Sequence, residues 1–365
     1  MKRIIVSVTN DLTTDQRVDK VCTTLTQMGF KILLIGRKLK TSKNLNRNYN
    51  TFRFKLFFNS GFLFYAEYNL RLFFILFFSK KDILLSNDLD TLLPNFLISK
   101  VFKTKLVYDS HELFTEVPEL INRPFVQKFW LTIERNIVPH IKNCYTVSDS
   151  ISNYYNLNYK TNFTTIRNLP LKNDTTLKGG FPFETENKKI IIYQGAINKS
   201  RGLELMIASM QFIENTIFVI IGNGDIKNKL KHQVQVLKLE EKIKFIPKIY
   251  PEELQKLTPL ADLGISIEED FGLNYKFALP NKLFDYIQAK VLVLISDLPE
   301  MKNIVQKYGV GQIVQNRTPR ELANQITTIL QKDKNFYDSN LENAKKELTW
   351  QNESEHLKSI YNNLK

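Results

Sequence analysis

The segment Glu268-Glu269-Asp270-Phe271-Gly272-Leu273, followed by Pro280-Asn281-Lys282-Leu283-Phe284-Asp285-Tyr286, concentrates chemistry in this chain. It sets three acids, a glycine turn, one lysine and a further acid between the apolar run 263–267 and an amphipathic stretch. A phosphate needs a cation and backbone N–H donors at a helix start, whereas sugar and ribose hydroxyls need carboxylate acceptors. A nucleotide-sugar ligand asks for all three together. Lys282 and Asp285, three positions apart, share one face of a helix opening near Asn281, so one can reach a phosphate and the other a sugar. Asp270 lies in the turn, where an acid most often satisfies backbone N–H groups.

Other strand-end turns add candidates. The run from Tyr193 through Gly195, Ala196, Arg201 and Gly202 to Glu204 passes from an apolar strand through a turn into a helix. Open α/β sheets bind phosphates at such places, and a plain strand-to-helix turn is the alternative. Ile220-Ile221-Gly222-Asn223-Gly224-Asp225 is a second glycine turn, either a tight turn alone or a nucleotide contact. In Val107-Tyr108-Asp109-Ser110-His111-Glu112 a strand ends on one of only four histidines. His111 is a reasonable proton or hydroxyl partner there, or a surface histidine satisfied by Asp109 and Glu112. Asn87-Asp88-Leu89-Asp90 closes another strand and either contacts an acceptor or caps the helix beginning at Thr91. No metal is expected. P-loop and dinucleotide glycine fingerprints are absent, as is a serine nucleophile elbow.

Short apolar runs alternating with amphipathic stretches position these turns, the pattern of parallel sheets covered by helices. In the first half the runs are 3–9, 31–35, 82–86, 105–108 and 143–147; in the second, 189–194, 216–221, 243–245, 263–267 and 291–296. The expected class is α/β, with two doubly wound Rossmann-like domains and a ligand cleft at the carboxyl ends of their strands. Residues 1–170 form the first domain, 171–187 a polar linker rich in Pro, Gly, Asn and Thr, and 188–350 the second. Residues 351–365 form a C-terminal helix, with Leu357, Ile360, Tyr361 and Leu364 at helical spacing.

At 365 residues the chain exceeds one ordinary core. Its two cysteines, Cys22 and Cys144, support neither a disulfide framework nor a thiolate metal site, and a cytoplasmic protein is expected. The net charge of +14 is uneven: residues 1–170 carry 24 Lys and Arg against 13 Asp and Glu. Such asymmetry suits a nucleic acid, an anionic membrane surface or a scattered solvated face. Nucleic-acid motifs are not visible, so that partner is not expected. Residues 61–78 are the nearest approach to a membrane span, but Glu67, Asn69 and Arg71 interrupt them, and a buried helix is the expectation, with an interfacial helix as the alternative.

The chain resembles the retaining glycosyltransferases of family 4, which have the GT-B fold. Glu269-Asp270-Phe271-Gly272 resembles that family's Glu-Gly-Phe-Gly turn, and Asp285 in Lys282-Leu283-Phe284-Asp285-Tyr286 resembles the second acid, on the following helix. Fifteen residues intervene between Glu269 and Asp285, as in the branch whose helix opens Pro-x-Lys. The resemblance implies that Arg201 and Lys282 stabilise the departing diphosphate and that Asp285 accepts from ribose hydroxyls. It further implies that Glu269 holds donor-sugar hydroxyls, that His111 contacts the transferred sugar, and that Gly195 and Gly222 border the nucleotide. Ala196 stands where an arginine is common, and Lys290 and Leu292 where the family has Gly and Pro. The implied activity is transfer of a sugar from a nucleoside diphosphate sugar, with no cofactor, to a lipid-linked or polysaccharide hydroxyl at the cytoplasmic membrane face. A nucleotide-sugar 2-epimerase and a non-catalytic basic binding protein are the alternatives.

Overall fold

The computed structural model describes residues 1–13, 15–40, 42–172, 179–332 and 335–364. Of the expected linker, residues 173–178 lie outside this set, as does Thr14 in the first loop. The chain divides into two compact units, Met1–Asn168 with the chain from Glu353 onward, and Leu169–Asn352.

The first unit holds seven parallel strands: β1 (Arg3–Asp11), β2 (Lys31–Arg37), β3 (Asn50–Phe54), β4 (Ile83–Asn87), β5 (Lys105–Ser110), β6 (Asn143–Thr146) and β7 (Phe163–Thr165). Their order, β3-β2-β1-β4-β5-β6-β7, reverses direction between β1 and β4. The second unit holds six: β8 (Lys189–Gln194), β9 (Thr216–Ile221), β10 (Ile243–Ile246), β11 (Leu263–Ser266), β12 (Leu292–Ile295) and β13 (Gly311–Ile313). Their order, β10-β9-β8-β11-β12-β13, reverses between β8 and β11. Helices on both faces of such sheets explain the unbroken apolar strands: Ile190, Ile191, Ile192 and Tyr193 are all buried. The reversal points matter for function, because a crevice opens there at the carboxyl ends of the strands.

The C-terminal helix, Trp350–Asn362, enters the first unit at Glu353. The Arg167 backbone N–H donates to Glu353 at 2.7 Å, and its guanidinium grips the same buried carboxylate at 2.6 to 3.2 Å. Tyr361 sets its ring edge-on to Phe30, centroids 6.1 Å apart.

Two expectations change. Helix Gly61–Phe78 is not a buried helix: only Phe64, Tyr68, Leu72 and Leu76 are covered. Asp88 does not cap the turn Leu89–Thr91; its side chain makes no capping bond there, and its backbone holds φ 58° and ψ 167°. That conformation is strained for a residue with a Cβ, and its carboxylate is used elsewhere.

Candidate functional site

Helix Asn281–Gln288 starts after Pro280, which cannot continue a ladder or donate an N–H. Tyr286 fixes its position. The phenol accepts from the Gln194 N–H at 3.2 Å and lies 3.3 Å from the Ile192 and Ile265 carbonyls, where β8 and β11 separate. Gly264 makes this possible, since a Cβ there would stand 2.5 Å from the Tyr286 ring. With Tyr286 wedged in the sheet, Lys282 and Asp285 project from the same helix at the ends of β8 and β11.

Lys282 is 8 % exposed, and its Nζ lies 2.7 Å from Glu268 Oε1 and 4.1 Å from the centre of the Tyr193 ring. A Cβ at Gly195, which has φ 141°, would lie 3.5 to 3.8 Å from Lys282 Cε and Nζ. Bare backbone and an ammonium therefore meet just past β8. Glu268 is buried, its other oxygen accepting from Ser266 Oγ at 2.8 Å. Burial raises its pKa, but the Lys282 ammonium and, less strongly, the Arg201 guanidinium reverse the balance and hold it below the usual carboxylate value.

Arg201 lies 3.7 Å from Glu268 and stacks its guanidinium 4.6 Å over Tyr275, while its buried Nε has no hydrogen-bond partner. Its loop is pinned to the acid turn by Glu269 N–H, which donates to Ser200 O at 2.9 Å. Gly202 is required at the following position: φ is 73°, and a Cβ would stand 2.3 Å from Ile267 O. Gly222 is also sterically fixed, a Cβ there standing 1.9 Å from Gly195 O. Asp285 accepts from Gln194 Nε2 at 2.9 Å.

The acid turn is arranged differently from the sequence reading. Glu269 is exposed, and Glu268, not singled out there, is the carboxylate that faces both cations. Strand alternation was the available signal, because Ser266 and Glu268 follow one another on one side of the strand end. Asp270 pairs with Lys276 at 3.5 Å, both about half exposed, instead of satisfying backbone. Lys290, where a glycine was expected, sits in the left-handed region at φ 57°, with its ammonium paired to Glu342.

The first unit gathers a second constellation at the ends of β1, β4 and β5. His111 Nδ1 lies 3.2 Å from Asp88 Oδ2, and its backbone N–H donates to Asp88 Oδ1 at 2.8 Å. Its Nε2 is 3.2 Å from Asp109 Oδ2 without a hydrogen-bonding alignment, so that contact is Coulombic. Burial disfavours the imidazolium, but Asp88 and Asp109 outweigh it and raise the His111 pKa well above its usual value. Asp109 is fully buried and held in its charged form by Arg17, which binds it at 2.8 and 3.1 Å. Asp90 accepts from Thr9 Oγ1 at 2.5 Å, and burial, with Asp88 nearby, pushes its carboxyl up to about 8. Arg17, on helix Gln16–Gln27, was not singled out in the sequence. Among the described residues no group of three or more His, Cys, Asp or Glu is arranged to hold a metal ion.

Residues 180–347 match the family model described as Glycosyl transferases group 1. A curated relative, an uncharacterized glycosyltransferase of Methanocaldococcus jannaschii, is 24% identical over 185 residues, 48% of this chain and 45% of the relative, so the chain spans less than half of that protein's length. Sucrose-phosphate synthase of Thermosynechococcus elongatus superposes with a TM-score of 0.82 at 14% identity, covering 100% of this chain and 99% of that one. HepE of Anabaena, solved with UDP and glucose, gives 0.76 at 12% identity with both chains fully covered. Neither an epimerase nor a binding-only protein is favoured by these matches. Residues 180–347 thus resemble the group 1 glycosyl transferases, in a chain with the GT-B fold.

Proposed function

We propose that the protein is a retaining glycosyltransferase that moves a sugar from a nucleoside diphosphate donor to a hydroxyl of a lipid-linked or polysaccharide acceptor. One observation carries the reading: the nearly buried ammonium of Lys282 set beside the bare backbone of Gly195, with Asp285 on the same helix, inside the group 1 domain. A diphosphate laid on Gly195 meets Lys282 and then Arg201, whose partly exposed guanidinium has a donor to spare. These preorganised cations stabilise charge that grows on the leaving diphosphate. Asp285 takes the ribose hydroxyls, and exposed Glu269 is free to take hydroxyls of the donor sugar. His111, held as an imidazolium by Asp88 and Asp109, has no lone pair with which to act as base.

The retaining course is supported by the state of Glu268. Both its oxygens are engaged and its carboxylate is kept charged by two cations, so it is a poor acceptor for a proton from an incoming hydroxyl. A phosphate oxygen of the leaving diphosphate is then the base, delivered on the same face as the departing group. No cofactor enters this scheme.

A thermal-shift panel of UDP-, GDP-, ADP- and dTDP-sugars tests the reading. A true donor at 100 times its Kd stabilises by about 2.7 kcal/mol, a rise of several degrees. A flat response to every donor on the panel would remove the donor site.

A further inference from the structure

Helices Gly61–Phe78, Leu92–Phe102 and Pro124–Ile137 carry an apolar surface that the fold leaves uncovered. On the first, the row Phe62, Ala66, Leu70, Phe74, Phe77 and Phe78 faces outward, with Phe62 70% and Phe78 79% exposed. The second helix is inverted: Asn95 and Ser99 are buried, whereas Leu93, Leu97 and Val101, spaced at i, i+4 and i+8, are exposed. From the third, Phe125, Val126 and Phe129 stand out, Phe125 at 89%. Ring contacts join the three helices, Phe62 to Phe129 at 6.3 Å and Phe77 to Phe102 at 5.3 Å. A continuous patch of this kind marks an interaction site.

Charge identifies the occupant. Lys80, Lys100 and Lys103, close in sequence to Phe77 and Phe102, are exposed, and Lys81 Nζ lies 3.8 Å over the Phe102 ring. Arg123 and Lys128 are exposed at the other end. The acids within the three helices are Glu67, paired to Arg71 at 2.6 Å, and Glu134, buried. An apolar centre with cationic ends and no unengaged carboxylate is complementary to anionic headgroups over acyl chains. A second copy of the same face would set like charges against each other. Helix Gly61–Phe78 has the length and hydropathy of a membrane span, but Tyr68, Leu72 and Leu76 are locked in the sheet core with Ile5, Ile35, Leu84 and Ile98. It lies on the sheet and presents only its outer row.

We propose that this face docks on an anionic lipid bilayer, its Phe and Leu side chains at the headgroup–acyl boundary and its Lys and Arg at phosphate depth. The inference is independent of the phosphate-facing residues Gly195, Arg201 and Lys282 and of Asp285, which belong to the second unit.

Vesicle co-sedimentation of the full chain tests it, with phosphatidylcholine alone or with about 30% phosphatidylglycerol. Wild type partitions onto the anionic vesicles and is weakened by salt. Phe74→Glu with Val101→Glu lowers partitioning at least about tenfold, because two apolar anchors become like charges. Lys100→Glu with Lys103→Glu lowers it on anionic vesicles alone. All four positions are exposed, so unchanged melting shows that the fold survives; Phe129→Ser, on the third helix, gives an independent variant with the same expected direction. Partitioning of Phe74→Glu/Val101→Glu equal to wild type would overturn the proposal, as would a wild type that ignores vesicles and sediments as a dimer which those substitutions split.

Discussion

Lys282→Met separates the donor site from the fold in a way that can be worked through. The substitution leaves the Glu268 carboxylate, 3% exposed, with Arg201 at 3.7 Å as its remaining counter-charge. Breaking a buried ion pair from one side typically costs about 3 to 5 kcal/mol, and the residual Arg201 contact points to the lower end. At about 2 to 4 °C per kcal/mol for a unit of this size, the single variant melts about 6 to 12 °C lower. Adding Glu268→Gln removes the uncompensated charge while an amide oxygen still accepts from Ser266, so Lys282→Met/Glu268→Gln recovers most of the loss. Donor binding does not recover. A charge-assisted bond to phosphate contributes about 1.5 to 3 kcal/mol, or about 10- to 150-fold in Kd. Calorimetric titration of the donor into both variants, beside their melting curves, reads the two effects apart. If the double variant is stable and binds the donor as wild type does, Lys282 serves only to neutralise Glu268 and the diphosphate lies elsewhere.

Asp285→Asn trades an acceptor for a donor at the ribose position and raises the donor KM by about tenfold or more, whereas Asp270→Asn, which touches only an exposed pair with Lys276, changes it little; the reverse ranking would show that the helix has been assigned the wrong role. Asp90, raised to about 8 from an ordinary 3.8, favours the folded state when protonated, so its stabilising effect relative to Asn is fullest below about pH 4 and is lost as pH rises toward about 8. Chemical denaturation of wild type and Asp90→Asn should therefore diverge across that window by up to about 1.4 kcal/mol per pH unit, with the variant gaining. Lys290→Gly relieves a left-handed backbone at the cost of the Glu342 pair and of chain entropy, so stability should shift by no more than about 1 kcal/mol and donor turnover should stay unchanged; a large loss of turnover would tie this helix end to the site.

The parallel sheets were legible because both their faces are covered, which leaves runs such as Ile190-Ile191-Ile192 with no polar interruption. β3 and β13 escaped notice because they are partly exposed outer strands without such runs, and β7 because it is only three residues long. Lys282, Asp285, Gly195 and Gly222 were legible from residue type beside a strand end. Glu268 was not, since three successive acids look alike in sequence and only the strand's alternation decides which one turns inward. Asp109 was named beside His111, but its partner Arg17 and the role of Asp88 needed long-range pairing: Arg17 meets Asp109 across 92 positions, a distance no local pattern reports. The outward aromatic face of helix Gly61–Phe78 was hidden for a related reason, because large apolar residues recur on every side of that helix and its few polar residues, Glu67, Asn69 and Arg71, do not mark which row is covered.

The anomeric configuration of the transferred sugar tests the central claim most directly. A donor labelled with carbon-13 at C1 is turned over, and the C1–H1 coupling of the first product is compared with that of the donor. Retention of configuration is predicted, because Glu268 is tied into a charged network and cannot serve as the base for an inverting attack. Inversion in the first-formed product would contradict it.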